Sequence, residues 1–461
     1  MAHAYDVIVV GAGPAGEVCA GRLASGGKRV AIVESDLIGG ECSFYACMPS
    51  KALLRPAEVL DEVARVPGVR AAGLDVAAVL ARRDEVVHDL SDADQIPWLQ
   101  EQRIALFRGS GFMAGPRTVN VGQETLEARE AIVLATGSTA LLPPIPGLAE
   151  AQAWTNRQAT TAKVPPAHLV VLGGGVVGVE LAQAWRSLGS EVTIIEALDR
   201  LVSREEPVAS AELAAALGER GIGLKLGVKA TAVDGATVHL EDGTSVSGDR
   251  LVVAIGRKPL SGGLGLEDVG VKTGRGGFIE VDDRLETSVP GVYAIGDVNG
   301  RALLTHAGKY QARVLADVLL GKQASARSDG PGTPRVVFTD PQIAAAGITV
   351  EAARDQGFEV TVIDVPTEGN AGGSFVGRGA TGTSRFVVDA QREVLLGVTL
   401  VGPDTTDFIH AAAIAIVAEV PLATLAHVIA PFPTRTELWL KFIEAYEERC
   451  GHSLHADRGR S

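Results

Sequence analysis

Cysteine is scarce in this chain, with four residues in 461. So few cannot build the disulfide framework of a secreted scaffold, and a cytoplasmic protein with a catalytic pair fits better. Basic residues are also in deficit: 42 Lys and Arg face 56 Asp and Glu, a formal net charge of −14. That balance argues against non-specific nucleic-acid binding. Uninterrupted apolar runs of membrane-spanning length are missing too. The nearest approach, residues 408–432, is broken by His410, Glu419, Pro421, His427 and Pro431. It reads as helices packed in a domain or dimer core, with His410 and His427 as core or interface histidines. No low-complexity segment occurs apart from the polar stretch 451–461, expected as a mobile tail. No secretory leader is expected, because Tyr5-Asp6-Val7-Ile8-Val9-Val10 already reads as a buried strand running into glycines. The length predicts two to four domains.

What the chain does have is glycine placed with regularity. The strand over Val7–Val10 meets Gly11-x-Gly13-x-x-Gly16, a helix runs on to about Ser25, and a second strand over Arg29–Val33 ends in Glu34. In such a unit the glycines permit a tight turn, close approach of a pyrophosphate and close helix–strand packing, while the acid accepts from a ribose hydroxyl. The unit returns as the strand His168–Leu172, Gly173-x-Gly175-x-x-Gly178, a helix over Val179–Leu188 and a strand Glu191–Ile195 ending in Glu196. Each acid falls 18 residues after its last glycine. Two dinucleotide units in one chain imply two dinucleotides.

Between them, directly after the first, lie Cys42 and Cys47 with four residues intervening, then Pro49-Ser50-Lys51. A pair at that spacing can close a small ring at a helix start, where the helix N-terminus favours the thiolate. Thiolate is the form that attacks a disulfide, so the pair suits dithiol–disulfide cycling. Zinc is a poor alternative, since no second ligand pair follows at a fingerlike distance. Spacing alone leaves two buried free cysteines open; the flanking dinucleotide units favour electron relay. Cys19 reads as a packing residue. Cys450 reads as a lone tail thiol rather than a soft-metal site with His452 and His455, and no metal site is expected.

These features together resemble the pyridine nucleotide–disulfide oxidoreductases, the family of dihydrolipoamide dehydrogenase, mercuric reductase and glutathione reductase. The resemblance covers Tyr5 to Glu448. It implies an α/β fold of two Rossmann-like dinucleotide-binding domains plus an α+β dimerisation domain. FAD would occupy 1–150 with a return at 263–328, NAD(P)H 151–262, and the dimerisation domain 329–450. By that resemblance Gly11, Gly13, Gly16 and Glu34 hold the FAD adenosine and pyrophosphate. Gly111, Thr136, Gly137, Ser138, Asp297 and His306 complete the FAD site. Lys51 pairs with Glu180 beside the flavin N5, Cys47 is the flavin-facing thiol, and Cys42 exchanges with substrate. Gly173, Gly175, Gly178, Glu196 and Gly256 serve the nicotinamide dinucleotide, with NADH favoured because the Glu196 carboxylate repels a 2′-phosphate.

The chain departs from the family at three places, one being Asp407, where a Glu is usual. The family's Cys-x-Asn-x-Gly-Cys has become the bulkier Cys42-Ser43-Phe44-Tyr45-Ala46-Cys47. The dimer-domain His-Pro-Thr…Glu signature reads Phe432-Pro433-Thr434-Arg435-Thr436-Glu437, keeping the acid and losing the histidine that is the family's general acid–base toward thiols. The expectation is an FAD-dependent NAD(P)H oxidoreductase, homodimeric, passing electrons through a Cys42–Cys47 disulfide to a small-molecule acceptor. It resembles dihydrolipoamide dehydrogenase without its usual base. The alternatives are reduction of a quinone or metal ion directly from flavin, or a flavoprotein subunit of a larger complex.

Overall fold

Continuous runs of apolar, β-branched residues make strands that must be covered on both faces, and parallel sheets flanked by helices satisfy that demand. The computed structural model describes residues 3–330 and 332–455. Its first sheet is built on β1 (His3–Val10), followed by helix α1 (Pro14–Ser25) and β2 (Val30–Glu34). Two helices come next, α2 (Gly40–Phe44) and α3 (Cys47–Arg65). Then follow β3 (Ala105–Arg108), β4 (Gly111–Gly115), β5 (Thr118–Val121) and β6 (Glu124–Leu134). β1 pairs in parallel with β2 (Val7 opposite Val30) and with β6 (Val7 opposite Ala131), and β3 lies outside β2. The chain then departs for more than 150 residues. It returns with Val292–Ala294, which pairs in parallel with the end of β6. Residues far apart in sequence therefore meet at one carboxyl edge, where ligands of open α/β sheets bind.

The excursion contains a second parallel sheet, ordered 223–226, 191–196, 168–172, 250–253, with a three-stranded antiparallel sheet beside it. Its glycine-turn helix spans Val176–Ser187, three residues longer at its start than the glycine count suggests, because Gly175 itself caps the helix. The short strands Ser138–Ala140 and Arg257–Pro259 pair antiparallel and bring the exit and re-entry of the excursion together. The C-terminal domain is a five-stranded antiparallel sheet covered by helices Thr405–Val417 and Leu438–Cys450.

Buried ion pairs lock the second unit onto this C-terminal domain. Glu205 and Glu206, both almost fully buried, receive Arg335 and Arg385. Asp340 receives both Arg220 and Arg65, so the far end of α3 is tied to the same junction. Two expectations change at the C-terminal end. His410 and His427 are exposed within the chain, not core, because their helix and loop turn that side outward. Residues 451–455, expected as the start of a mobile tail, are packed: Leu454 is buried and its N–H donates to Glu447 Oε1 at 2.6 Å. Residues 456–461 lie outside the described residues. Among the described residues no helix is long and apolar enough to cross a membrane.

Candidate active site

The two glycine turns are copies in three dimensions. Gly11 and Gly173 have φ of 106° and 116°, a left-handed conformation that side chains disfavour. A Cβ on Gly11 or Gly173 would lie 2.4–2.5 Å from the carbonyl oxygen of Ala135 or Ala254, and one on Gly16 or Gly178 would lie 1.9 Å from that of Gly11 or Gly173. Gly13 and Gly175, by contrast, face open space at the starts of their helices. Tight backbone on two sides and an open lip at a helix N-terminus fit a pyrophosphate at each turn. The acids repeat as well. Glu34 accepts from Ala12 N (2.6 Å) and Asp36 N (2.7 Å); Glu196 accepts from Gly174 N (2.6 Å) and Leu198 N (2.8 Å).

The thiols are pressed against the first turn. Gly39 and Gly40 both take positive φ, and Gly39 N donates to Ala12 O at 2.8 Å. A Cβ on Gly40 would lie 2.8 Å from Gly13 Cα. Only glycine lets the chain pass so close, and this delivers Cys42 on α2 to the mouth of the dinucleotide turn. Cys47 is the first residue of α3. Both cysteines are free thiols. The Thr305 hydroxyl, at the start of the helix Thr305–Leu319, lies 3.1 Å from Cys42 Sγ and 3.5 Å from Cys47 Sγ. The two thiols therefore ionise unequally. The Cys42 thiol, then the nearby Thr305 hydroxyl and the Lys51 ammonium, act against burial to hold the Cys47 thiol down to about 6. The Cys47 thiol, then burial, pushes Cys42 up.

Lys51 sits one turn beyond Cys47 and its Nζ is 2.7 Å from Glu180 Oε2, on the second unit's helix. Glu180 is 4% exposed and its other oxygen accepts from Phe338 N at 3.0 Å. At the sheet edge Ser138 Oγ donates to Asp297 Oδ2 at 2.5 Å, while Thr136 Oγ1 donates to Leu260 O at 2.8 Å. Burial raises the Asp297 carboxyl, with Ser138 and Arg257 opposing. Gly137 and Gly256 have positive φ and open space before them. Gly111 is held by packing: a Cβ there would lie 2.9 Å from Val10 Cγ1. His306 is exposed beside Thr305, its Nε2 2.7 Å from Pro334 O.

Glu437 stands apart from this cluster in the C-terminal domain; its Oε2 is buried with no hydrogen-bond partner among the described residues. Phe432 is 77% exposed, in a loop with the exposed Val428 and Ile429. Cys450, His452 and His455 do not converge, since His452 turns to Glu393 and His455 to Ala426 O and Glu447. Residue pattern alone did not reveal Thr305, Glu41, Arg157 or Arg257. The position of Glu41 beside Cys42 and of Arg257 beside Gly256 was the available signal.

Two matching glycine turns flanking a pair of free thiols that share the Thr305 hydroxyl are the arrangement of a disulfide oxidoreductase that exchanges electrons with a nicotinamide. The chain belongs to the pyridine nucleotide-disulphide oxidoreductase family: residues 5–312 match that family and residues 333–441 match its dimerisation domain. It is an FAD-dependent enzyme of this family, and the dimerisation-domain match supports a homodimer. A dihydrolipoyl dehydrogenase from Thermus scotoductus is 36% identical, covering 98% of this chain and 99% of that one. A mercuric reductase from Staphylococcus aureus is 30% identical, covering 94% and 81%. Among solved structures, the Cu(II) complex of the HOCl-induced flavoprotein disulfide reductase RclA from Escherichia coli aligns with a TM-score of 0.85 at 26% identity, covering 96% of this chain and 99% of that chain.

Proposed function

We propose that the enzyme uses NADH to reduce a Cys42–Cys47 disulfide and passes the electron pair to an acceptor that needs little proton transfer, a quinone or a metal ion. FAD held along Gly11, Gly13, Gly16, Glu34 and Asp297 supplies the two-electron step between nicotinamide and disulfide. NADH plus the disulfide gives NAD⁺, one thiolate and one thiol, so atoms and charge balance without a further proton. The chain's residues suit that outcome. Cys42 keeps the proton, and Cys47 carries the negative charge opposite Lys51. Lys51 is in turn held by Glu180, which ties the thiol helix to the nicotinamide domain. Glu196 selects NADH, and the Arg200 guanidinium donates to Ser203 O and Glu205 O.

The observation that carries the acceptor reading is Glu437. Its buried oxygen lacks a donor, and residue 432, which holds the base in the family pattern, is a phenylalanine. Oxidising a dithiol requires a base, and a positioned one typically contributes about 10²–10⁴-fold. Relatives bearing the names of metal reductase and Cu(II) complex agree with an acceptor of another kind. The domain division follows as 1–150 and 263–328 for FAD, 151–262 for NADH and 329–450 for dimerisation. The test is an acceptor screen following NADH oxidation with lipoamide, glutathione-type disulfides, quinones and metal ions. Quinone or metal turnover exceeding lipoamide turnover is expected; fast, reversible dihydrolipoamide oxidation would overturn it.

A further inference from the structure

The loop between the two cysteines is gripped from outside its own domain. Glu41, next to Cys42, is only 14% exposed at its side chain and lies between two guanidiniums. Arg157 Nε is 3.0 Å from Glu41 Oε1, and Arg257 Nη2 pairs with Glu41 Oε2. Arg257 also donates to Ser138 Oγ and Ser138 O, both at 2.7 Å, so it joins Glu41 to the Ser138–Asp297 pair. Arg157 lies 4.3 Å from the centre of the Tyr45 ring, and a further nitrogen reaches Asp36 at 2.8 Å. The loop's other end is held by the same short helix, Asn156–Thr161: Tyr45 O accepts from Asn156 Nδ2 (2.9 Å) and Thr160 Oγ1 (3.1 Å). Inside the loop, Tyr45 N donates to Glu41 O at 2.8 Å.

We propose that Glu41 is a positioning residue for the redox pair: gripped by Arg157 and Arg257, it holds the Cys42–Cys47 loop in the shape that keeps both sulfurs together at the Thr305 hydroxyl. The proposal rests on the reading of Cys42 and Cys47 as that pair. A loop carrying phenylalanine and tyrosine where the family is slimmer needs an external anchor, and the carboxylate between two arginines provides one. With one guanidinium on each of its oxygens, the Glu41 carboxylate is fixed in orientation as well as position. Because Arg157 and Arg257 come from the entry and exit of the nicotinamide domain, the loop's shape is tied to that domain's placement.

Position and charge make opposite predictions, which gives a decisive test. In two-electron-reduced holoenzyme the long-wavelength thiolate-to-flavin absorbance is followed with pH, alongside FAD content. If Glu41 positions the loop, Glu41→Ala separates the sulfurs, removes the donor from Cys47 and moves the ionisation midpoint up by about one pH unit or more, a roughly tenfold loss of thiolate at a given pH. Glu41→Gln, which keeps an acceptor for a guanidinium, stays near wild type. If Glu41 acts through its charge alone, both variants leave two guanidiniums unopposed and move the midpoint down. A downward shift, or an unmoved Glu41→Ala, overturns the proposal. Should Glu41→Ala fail to fold, Glu41→Gln decides: unmoved supports the proposal and downward refutes it. A wild-type enzyme with no thiolate absorbance at all would instead overturn the assignment of the redox pair itself.

Discussion

Replacing Thr305 with valine removes one hydroxyl from between the two sulfurs while keeping the β-branched shape. The wild-type hydroxyl lies 3.1 Å from Cys42 Sγ and 3.5 Å from Cys47 Sγ. Cys47 is held from an ordinary 9.0 down to about 6, first by the Cys42 thiol, then against burial by Thr305 and Lys51. At about 1.4 kcal/mol per pH unit this is about 4 kcal/mol in favour of thiolate. A hydrogen bond to a charged group is worth about 1.5–3 kcal/mol, and the longer contact belongs at the low end. Thr305→Val should therefore raise the Cys47 midpoint by about one pH unit. Cys42→Ala, which deletes the larger donor, should raise it further, and Cys42→Ser should recover part of the loss. The assay is the thiolate absorbance of the reduced holoenzyme against pH. An unmoved midpoint in Thr305→Val, with FAD content intact, would refute the reasoning. The linked stability has a definite sign. The folded value is depressed, so the contribution is complete above the unfolded value near 9.0 and is lost as pH falls through about 6. The stability of the reduced protein relative to the oxidised protein should fall by up to about 4 kcal/mol as pH is lowered across that window, measured by denaturant unfolding of each form.

Lys51→Met leaves the Glu180 carboxylate, 5% exposed at its side chain, without its cation. Breaking a buried pair costs about 3–5 kcal/mol, and the partly exposed lysine places this one near about 3, readable by urea unfolding of the holoenzyme. Like charges at contact cost about 1 kcal/mol in water and several at lower dielectric, so wild type should prefer NADH over NADPH by about tenfold or more in kcat/KM. Glu196→Gln should erase most of that preference, and equal wild-type values would contradict it. Phe432→His should raise dihydrolipoamide oxidation by about 10²-fold if the missing base is what limits it. Fast native oxidation, unimproved by the histidine, would show that Phe432 does not mark a change of acceptor.

Much of this molecule was legible one short segment at a time. Gly11, Gly13, Gly16 and Glu34, and their counterparts Gly173, Gly175, Gly178 and Glu196, lie within 24 residues of one another in each unit. The turn, the helix and the following strand are local consequences of glycine conformation and apolar periodicity, so spacing alone predicted them. Cys42, Cys47 and Lys51 also share one segment and needed no long-range contact to be noticed. Helix starts were less legible: Val176 rather than Val179 opens the second helix because the cap is a glycine whose role depends on the turn.

Which thiol ionises was a tertiary decision. Thr305 is 263 residues from Cys42 and Arg257 is 216 from Glu41, and no periodicity relates such positions. They meet because the chain leaves β6, builds the second unit, and returns with Val292–Ala294 beside the same strand, which brings the helix from Thr305 to the sheet edge that holds the first glycine turn. Nor does a segment's own apolarity say which side of it is covered: His410 and His427 read as core or interface residues, and the fold of the single chain excludes the core by leaving both exposed. Local sequence determined that there are two nucleotide turns and a dithiol. The crossover connection determined that both sulfurs meet the Thr305 hydroxyl, because hydrogen-bond donors act only within contact distance.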